Sequence, residues 1–112
     1  MATAATTARP RRGRLRMADR VYARLAEQAV RQALAETWAE RAARGAPPRA
    51  TVLVVGGTVR ITLHLELPYP ADLAELSRKA RHAAADQVVA LTGTPVVEVS
   101  VLVERLAPAA LR

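Results

Sequence analysis

The chain has 112 residues, a formal net charge of +7, and neither cysteine nor phenylalanine. Its length fits one domain, and the lack of cysteine excludes a disulfide framework, a cysteine nucleophile and any thiolate-bound metal or cluster. Alanine supplies 25 of the 57 apolar residues, and valine and leucine supply 26 of the other 32. We therefore expect a modest aliphatic core with few aromatic side chains.

The positive charge is concentrated at the start of the chain. Beyond residue 18 the charges nearly balance, with 12 basic and 10 acidic residues. Residues 1–13 lack the spacing of an amphipathic element, so we expect a disordered basic arm. The arm either solubilises the chain or contacts an anionic surface, phospholipid or nucleic-acid phosphate. Its candidate contact residues are the arginines before the first acidic residue: Arg9, Arg11, Arg12, Arg14 and Arg16.

Two features predict where the protein is located in the cell. No apolar run approaches the ~18 residues that a membrane span requires. Arginines also stand where a secretory signal would have its apolar segment. We therefore expect a cytoplasmic protein that is at most peripheral at the inner face of the cell membrane.

The first predicted elements are a short edge strand and a long helix. Leu15 and Met17 alternate with arginines, which favours a strand, and a helix is expected from Asp19 to about Ala43. The helix has two rotated apolar stripes, and a two-sided helix typically contacts two neighbours, such as its own sheet and another subunit. Trp38 either closes the far end of the core or anchors an interface. The first stripe is Val21, Tyr22, Leu25, Ala29 and Ala33; the second, a candidate interaction surface, is Val30, Leu34 and Trp38.

The remaining pattern predicts a hairpin, a helix and a final strand. Residues 50–55 and 58–67 flank Gly56–Gly57, a favoured two-residue turn. A second helix is expected from Asp72 to Gly93, with the last strand after Pro95. The predicted fold is α+β: a two-layer sandwich of βαββαβ order, with two helices on one face of a four-stranded, mainly antiparallel sheet. The domain is expected over residues 14–106, with a short flexible tail over 107–112.

The uncovered face of the sheet holds the few residues that could carry chemistry. Ser100, His64, Glu66 and Glu98 could share this face, but a flat sheet offers no oxyanion hole and no pocket for acyl transfer. His64 and His82 fall on different elements, so we expect no metal site. The face also lacks the aromatic residues on which RNA-recognition modules stack bases, and it carries several acids. We expect no catalytic, cofactor-binding or metal-binding residues and no small-molecule substrate.

Several segments resemble the alkaline shock proteins, a general and cell-envelope stress family of Gram-positive bacteria. The resemblance covers Gly13 to about Leu106. It is carried by the opening Gly13–Val21, by the strand Val59–Leu67, and above all by the end, where a helix reaches Thr92–Gly93 and an alternating strand follows from Val96 to Val101. The entry to the second helix departs from the family, because Pro68–Asp72 replaces its usual Asn-Ile-Pro-like sequence. The first helix also continues through alanines and Trp38, where the family often has a glycine-containing break.

The resemblance implies a non-enzymatic stress-response protein that self-associates and docks to a small membrane-anchored partner. The family has no established catalytic residues to carry over. The alternative is a nucleic-acid-associated module that binds phosphates non-specifically through the arginine arm.

Overall fold

A computed structural model describes residues 8–41 and 44–108, with side chains from Asp19 onward. The elements are helix α1 (Ala8–Glu40), strand β1 (Arg49–Val55), strand β2 (Thr58–Tyr69), helix α2 (Leu73–Thr92) and strand β3 (Val96–Pro108). The sheet has the order β1-β2-β3. β1 pairs antiparallel with β2, as a two-residue hairpin turn requires. β3 pairs parallel with β2, because the chain returns through α2 before re-entering the sheet.

The α+β class is confirmed, but the predicted strand count, the element order and the mainly antiparallel pairing are wrong. The described chain has three strands in a mixed sheet and the order αββαβ. The missing strand is the one expected at Leu15–Met17, which lies inside α1. An alternation of four residues is too short to decide between strand and helix, and the neighbouring alanines and arginines have high helix propensity.

The segments predicted as a disordered arm and a flexible tail overlap helix α1 and strand β3. α1 starts at Ala8, so residues 8–13 of the expected arm belong to a helix, and residues 1–7 lie outside the described residues. β3 continues to Pro108, and Ala107 is buried within it. The rest of the predicted tail, residues 109–112, is outside the described part of the chain.

Both helices pack on the same face of the sheet. The alternation predicted for β2 is confirmed, since five apolar side chains on one side of this strand are buried: Val59, Ile61, Leu63, Leu65 and Leu67. α2 covers them with its buried row Leu76, Ala80, Ala84 and Val88. The other side of β2 is turned away from the helices, and with the matching positions of β1 and β3 it forms what we call the open face.

The two apolar stripes predicted on α1 form one broad face against the core, since Leu25 and Ala29 of the first stripe also pack in or against it. Five side chains at four-residue intervals pack in or against the core: Tyr22, Ala26, Val30, Leu34 and Trp38. Val21, expected on the first stripe, is 52% exposed. Side chains at four-residue intervals rotate by about 40° per step around a helix of 3.6 residues per turn, so the row passes from the first stripe at Tyr22 to the second at Trp38.

The ends of α2 follow the sequence closely. Asp72 caps its first turn by accepting a hydrogen bond from the Glu75 amide at 3.0 Å. At the other end Gly93 adopts a left-handed conformation (φ 74°), and its amide donates to the Val89 carbonyl. The Thr92 hydroxyl donates to the Val88 carbonyl and accepts from the Thr94 amide. Thr92–Gly93 therefore ends the helix and turns the chain into β3.

Candidate functional site

The open face carries a connected polar cluster around His64. His64 Nδ1 lies 3.1 Å from Glu104 Oε2, and Nε2 lies 3.1 Å from the Thr51 hydroxyl. Arg49 completes the cluster, since its Nη2 donates to both carboxylate oxygens of Glu104, at 3.0 and 3.3 Å. In the neutral tautomer that donates from Nδ1, His64 binds the carboxylate and accepts from Thr51. We call these four residues the His64 cluster.

Strand register explains why these residues meet. The hairpin places Arg49 directly opposite His64, and Thr51 opposite Thr62. Glu104 reaches the pair from the third strand because β3 is irregular at this point, where Leu65 pairs with Val103 but Glu66 pairs with Arg105. The extra residue in the bulge is Glu104, and a bulge re-aims the side chain that it carries.

Ionic contacts lower the pKa of Glu104 below its ordinary value of 4.5. The largest cause is the hydrogen bond from His64; burial acts in the opposite direction, and Arg49 adds a hydrogen bond and its positive charge. The carboxylate is therefore charged at neutral pH and cross-links the three strands, since β1, β2 and β3 each contribute a partner.

The residues considered for acyl transfer do not come together. Ser100 approaches Glu98 at 3.5 Å, and Glu66 accepts from the Ala46 amide at 2.9 Å, whereas His64 contacts Glu104 and Thr51. The cluster does contain a hydroxyl, an imidazole and a carboxylate that contact one another in that order. However, Thr51 is exposed on a flat face, where no pocket wall holds a substrate carbonyl beside it. We interpret the cluster as a set of hydrogen bonds and ion pairs that links the three strands.

Sequence reasoning placed His64 on the uncovered face of the sheet but did not connect it with Glu104. The position of Thr51 near His64 could have been predicted, since the Gly56–Gly57 turn fixes which β1 residues face which β2 residues. The Glu104 contact had no such signal, because it depends on a bulge in β3. No group of three or more His, Asp or Glu side chains that could hold a metal ion occurs in the described part of the chain. Nor is any of its helices long and apolar enough to cross a membrane.

Exposed apolar side chains lie on the two outer strands of the sheet. Leu53 and Val55 of β1 and Leu102 of β3 are more than half exposed on the open face. Along β3, which pairs with β2 through one edge, Val97, Val103 and Leu106 are also exposed. An edge strand with accessible apolar side chains is a template for pairing with another chain. We call β3 and the exposed apolar residues of the open face the sheet surface.

The residues predicted to mediate interactions lie elsewhere. Val30 and Leu34 are buried in the core of this chain, and Trp38 is half-buried against it. Their role in an interaction stays a prediction. The side chains of the candidate contact arginines lie outside the described residues: Arg9, Arg11, Arg12, Arg14 and Arg16.

The sequence has two acid–arginine pairs at the four-residue spacing of helix-surface ion pairs, Glu27–Arg31 and Glu40–Arg44, and the spacing predicts that they interact. Neither ion pair is formed. Glu27 instead accepts a hydrogen bond from the Ala50 amide at 2.9 Å, which holds the start of β1 against α1. The ion pairs among the described residues are Arg49–Glu104, Arg60–Glu98, His64–Glu104 and Arg78–Glu75. An unpaired backbone amide at a strand start outcompetes a solvent-exposed ion pair, which contributes little.

Comparison of the chain with protein-family models, with curated proteins and with solved structures finds no match. The resemblance to the alkaline shock proteins therefore depends on the sequence segments alone.

Proposed function

We propose that this protein is a non-enzymatic interaction domain of the cell-envelope stress type, which self-associates through the sheet surface. The observation that carries the proposal is that β3 lies at an edge of the described sheet and carries exposed apolar side chains. Burying exposed apolar surface favours association. Four such side chains lie on β3, and two more lie on β1 at the other side of the open face: Val97, Leu102, Val103 and Leu106, then Leu53 and Val55.

The occupant we propose for this surface is a second copy of the chain. β3 has 13 residues, long enough for its outer edge to add to the corresponding strand of another copy. Charge permits this pairing, because two acidic residues of the face are paired with arginines of the same chain: Arg49 lies 3.0 Å from Glu104, and Arg60 lies 3.9 Å from Glu98. Two such faces do not repel each other through an excess of one charge.

Docking to a small membrane-anchored partner at the inner face of the membrane depends on the sequence resemblance. Its strongest segment, Thr92–Gly93 followed by Val96–Val101, is the turn into β3 and the strand itself. The segment that carries the resemblance thus forms part of the sheet surface.

Light scattering of purified protein at increasing concentration tests self-association. Leu102→Glu places a carboxylate in the sheet surface at a position that is 51% exposed, so folding is retained. The matched control is Leu91→Glu on α2, where the leucine is 59% exposed. We expect a concentration-dependent dimer for the wild type and for Leu91→Glu, and a monomer for Leu102→Glu. A wild type that stays monomeric, or equal loss of the dimer in both variants, would overturn the proposal.

A further inference from the structure

The last turns of α1 border a pocket of ≈ 390 Å³ that is separate from the sheet surface. This volume lies within the ~300–1,000 Å³ of typical small-molecule sites. Its lining is largely apolar, with the nearly buried side chains Val30, Leu34 and Leu65 beneath it and the more accessible Trp38, Pro47 and Pro48 around it.

The pocket exists because β1 is shorter than β2. Pairing between them ends at Arg49 and His64, while β2 continues to Tyr69. Residues 44–48 cross this unpaired end of β2, where the Ala46 amide donates to Glu66 Oε1 at 2.9 Å. Beside it Gly45 lies so close to the Trp38 ring that a Cβ would be 2.6 Å from Cη2. These two contacts hold the segment in place, so the pocket is already formed without a ligand.

Charge at the rim favours an anion. Arg31 and Arg44 line the pocket, as does Glu66. Neither arginine forms an ion pair with an acidic side chain of the described residues. Glu66, the one carboxylate at the rim, already accepts the Ala46 amide. Two guanidinium groups beside an apolar cavity match a carboxylate attached to an apolar body.

We infer that the pocket binds a small organic acid, with its apolar part on Trp38 and the aliphatic wall and its carboxylate between Arg31 and Arg44. This site adds a small-molecule ligand that the sequence did not predict. It does not depend on the proposed self-association.

Octanoate and its uncharged counterpart octanamide are suitable probes of the full-length protein at neutral pH and low salt. Trp38 is the only tryptophan, so its emission reports directly on the pocket. We expect octanoate to bind saturably with a shift of this emission. Octanamide is expected to bind at least about fivefold more weakly, because it forgoes both guanidinium contacts and one exposed ion pair contributes up to about fivefold. Equal binding of both probes, or no saturable binding of octanoate, would contradict the inference.

Substitutions separate the charge from the shape of the pocket. Arg31→Gln and Arg44→Gln are each expected to weaken octanoate binding about fivefold. Glu66→Gln is expected to strengthen it, because the amide oxygen still accepts from Ala46 while the negative charge is lost. The matched control is Arg60→Gln on the open face, where octanoate binding is expected to be unchanged. A loss in Arg60→Gln equal to that in Arg31→Gln, or weaker binding by Glu66→Gln in a folded protein, would overturn the assignment.

Gly45→Ala tests the apolar wall. Its methyl group would displace the Trp38 ring, so we expect an altered emission of the free protein and weaker octanoate binding. Unchanged emission together with unchanged binding would place the ligand away from Trp38.

Discussion

Val30 and Val21 lie on the same helix, and the structure reverses the positions that the predicted stripes gave them. Val30, predicted at an interface, is 0% exposed in the core, while Val21, predicted in the core, is 52% exposed. The change of valine to alanine at both positions removes the same atoms from the same kind of backbone. The helix propensity gained from alanine is therefore common to both variants and cancels in their difference.

The expected difference follows from burial. Val30→Ala removes two buried carbon atoms, at about 0.8 kcal/mol each, and leaves a cavity beside Leu65 and Leu34 that adds to this cost. We therefore expect the free energy of unfolding to fall by about 2 kcal/mol. Val21→Ala removes mostly solvated surface, so its effect is expected within about 0.5 kcal/mol of zero.

Urea denaturation followed by far-ultraviolet circular dichroism measures both variants, and an unchanged m-value shows that the same surface unfolds. The reasoning is refuted if the two variants lose equal stability, or if Val21→Ala loses more. If the stability lost in Val30→Ala grows with protein concentration, Val30 lies instead at an interface between copies.

Three further predictions concern the helix end, the His64 cluster and the arginines. Gly93→Ala is expected to cost about 1 kcal/mol in urea denaturation because of the positive φ, since nothing lies within 4 Å of an added Cβ. Gly93→Asn should cost less because asparagine adopts the left-handed conformation more readily, and equal stability of all three proteins would contradict this. Because folding lowers the pKa of Glu104, its contribution is present above pH 4.5 and is lost as the pH falls through the folded pKa. The stability gap between wild type and Glu104→Gln should therefore close in acid, and a gap that widens there would be contrary evidence. The nucleic-acid alternative is tested by changing five arginines to glutamine: Arg9, Arg11, Arg12, Arg14 and Arg16. The change should abolish any salt-sensitive binding to duplex DNA, and unchanged affinity would eliminate this alternative.

The parts of the fold that sequence predicted well are those with strong local signals. β2 alternates over ten residues, so its buried side was evident, and Asp72 and Gly93 mark the ends of α2 through capping chemistry. The start of α1 had a weak signal: four alternating residues, 14–17, suggested a strand, and helix propensity overrode them. The strand count failed with it.

The candidate sites depended on contacts that local patterns do not contain. The Glu104 contact requires a bulge in β3. The pocket beside Trp38 requires the pairing of β2 with β1 to stop at His64, five residues before β2 ends at Tyr69. The unformed Glu27–Arg31 pair shows the same limit, because the competing Ala50 amide is 23 residues away in sequence. Helical spacing gave a partner for Glu27, and tertiary packing provided a better one.

Hydrogen–deuterium exchange at protein concentrations above and below the dissociation constant tests most directly whether β3 is the interface. In assembled protein, a second strand would pair with the outer edge of β3, so its free amides would become hydrogen-bonded. We predict that protection increases with concentration in residues 96–106 and stays constant in α1 and α2. An increase confined to the helices, or exchange that is independent of concentration throughout β3, would contradict self-association through the sheet surface.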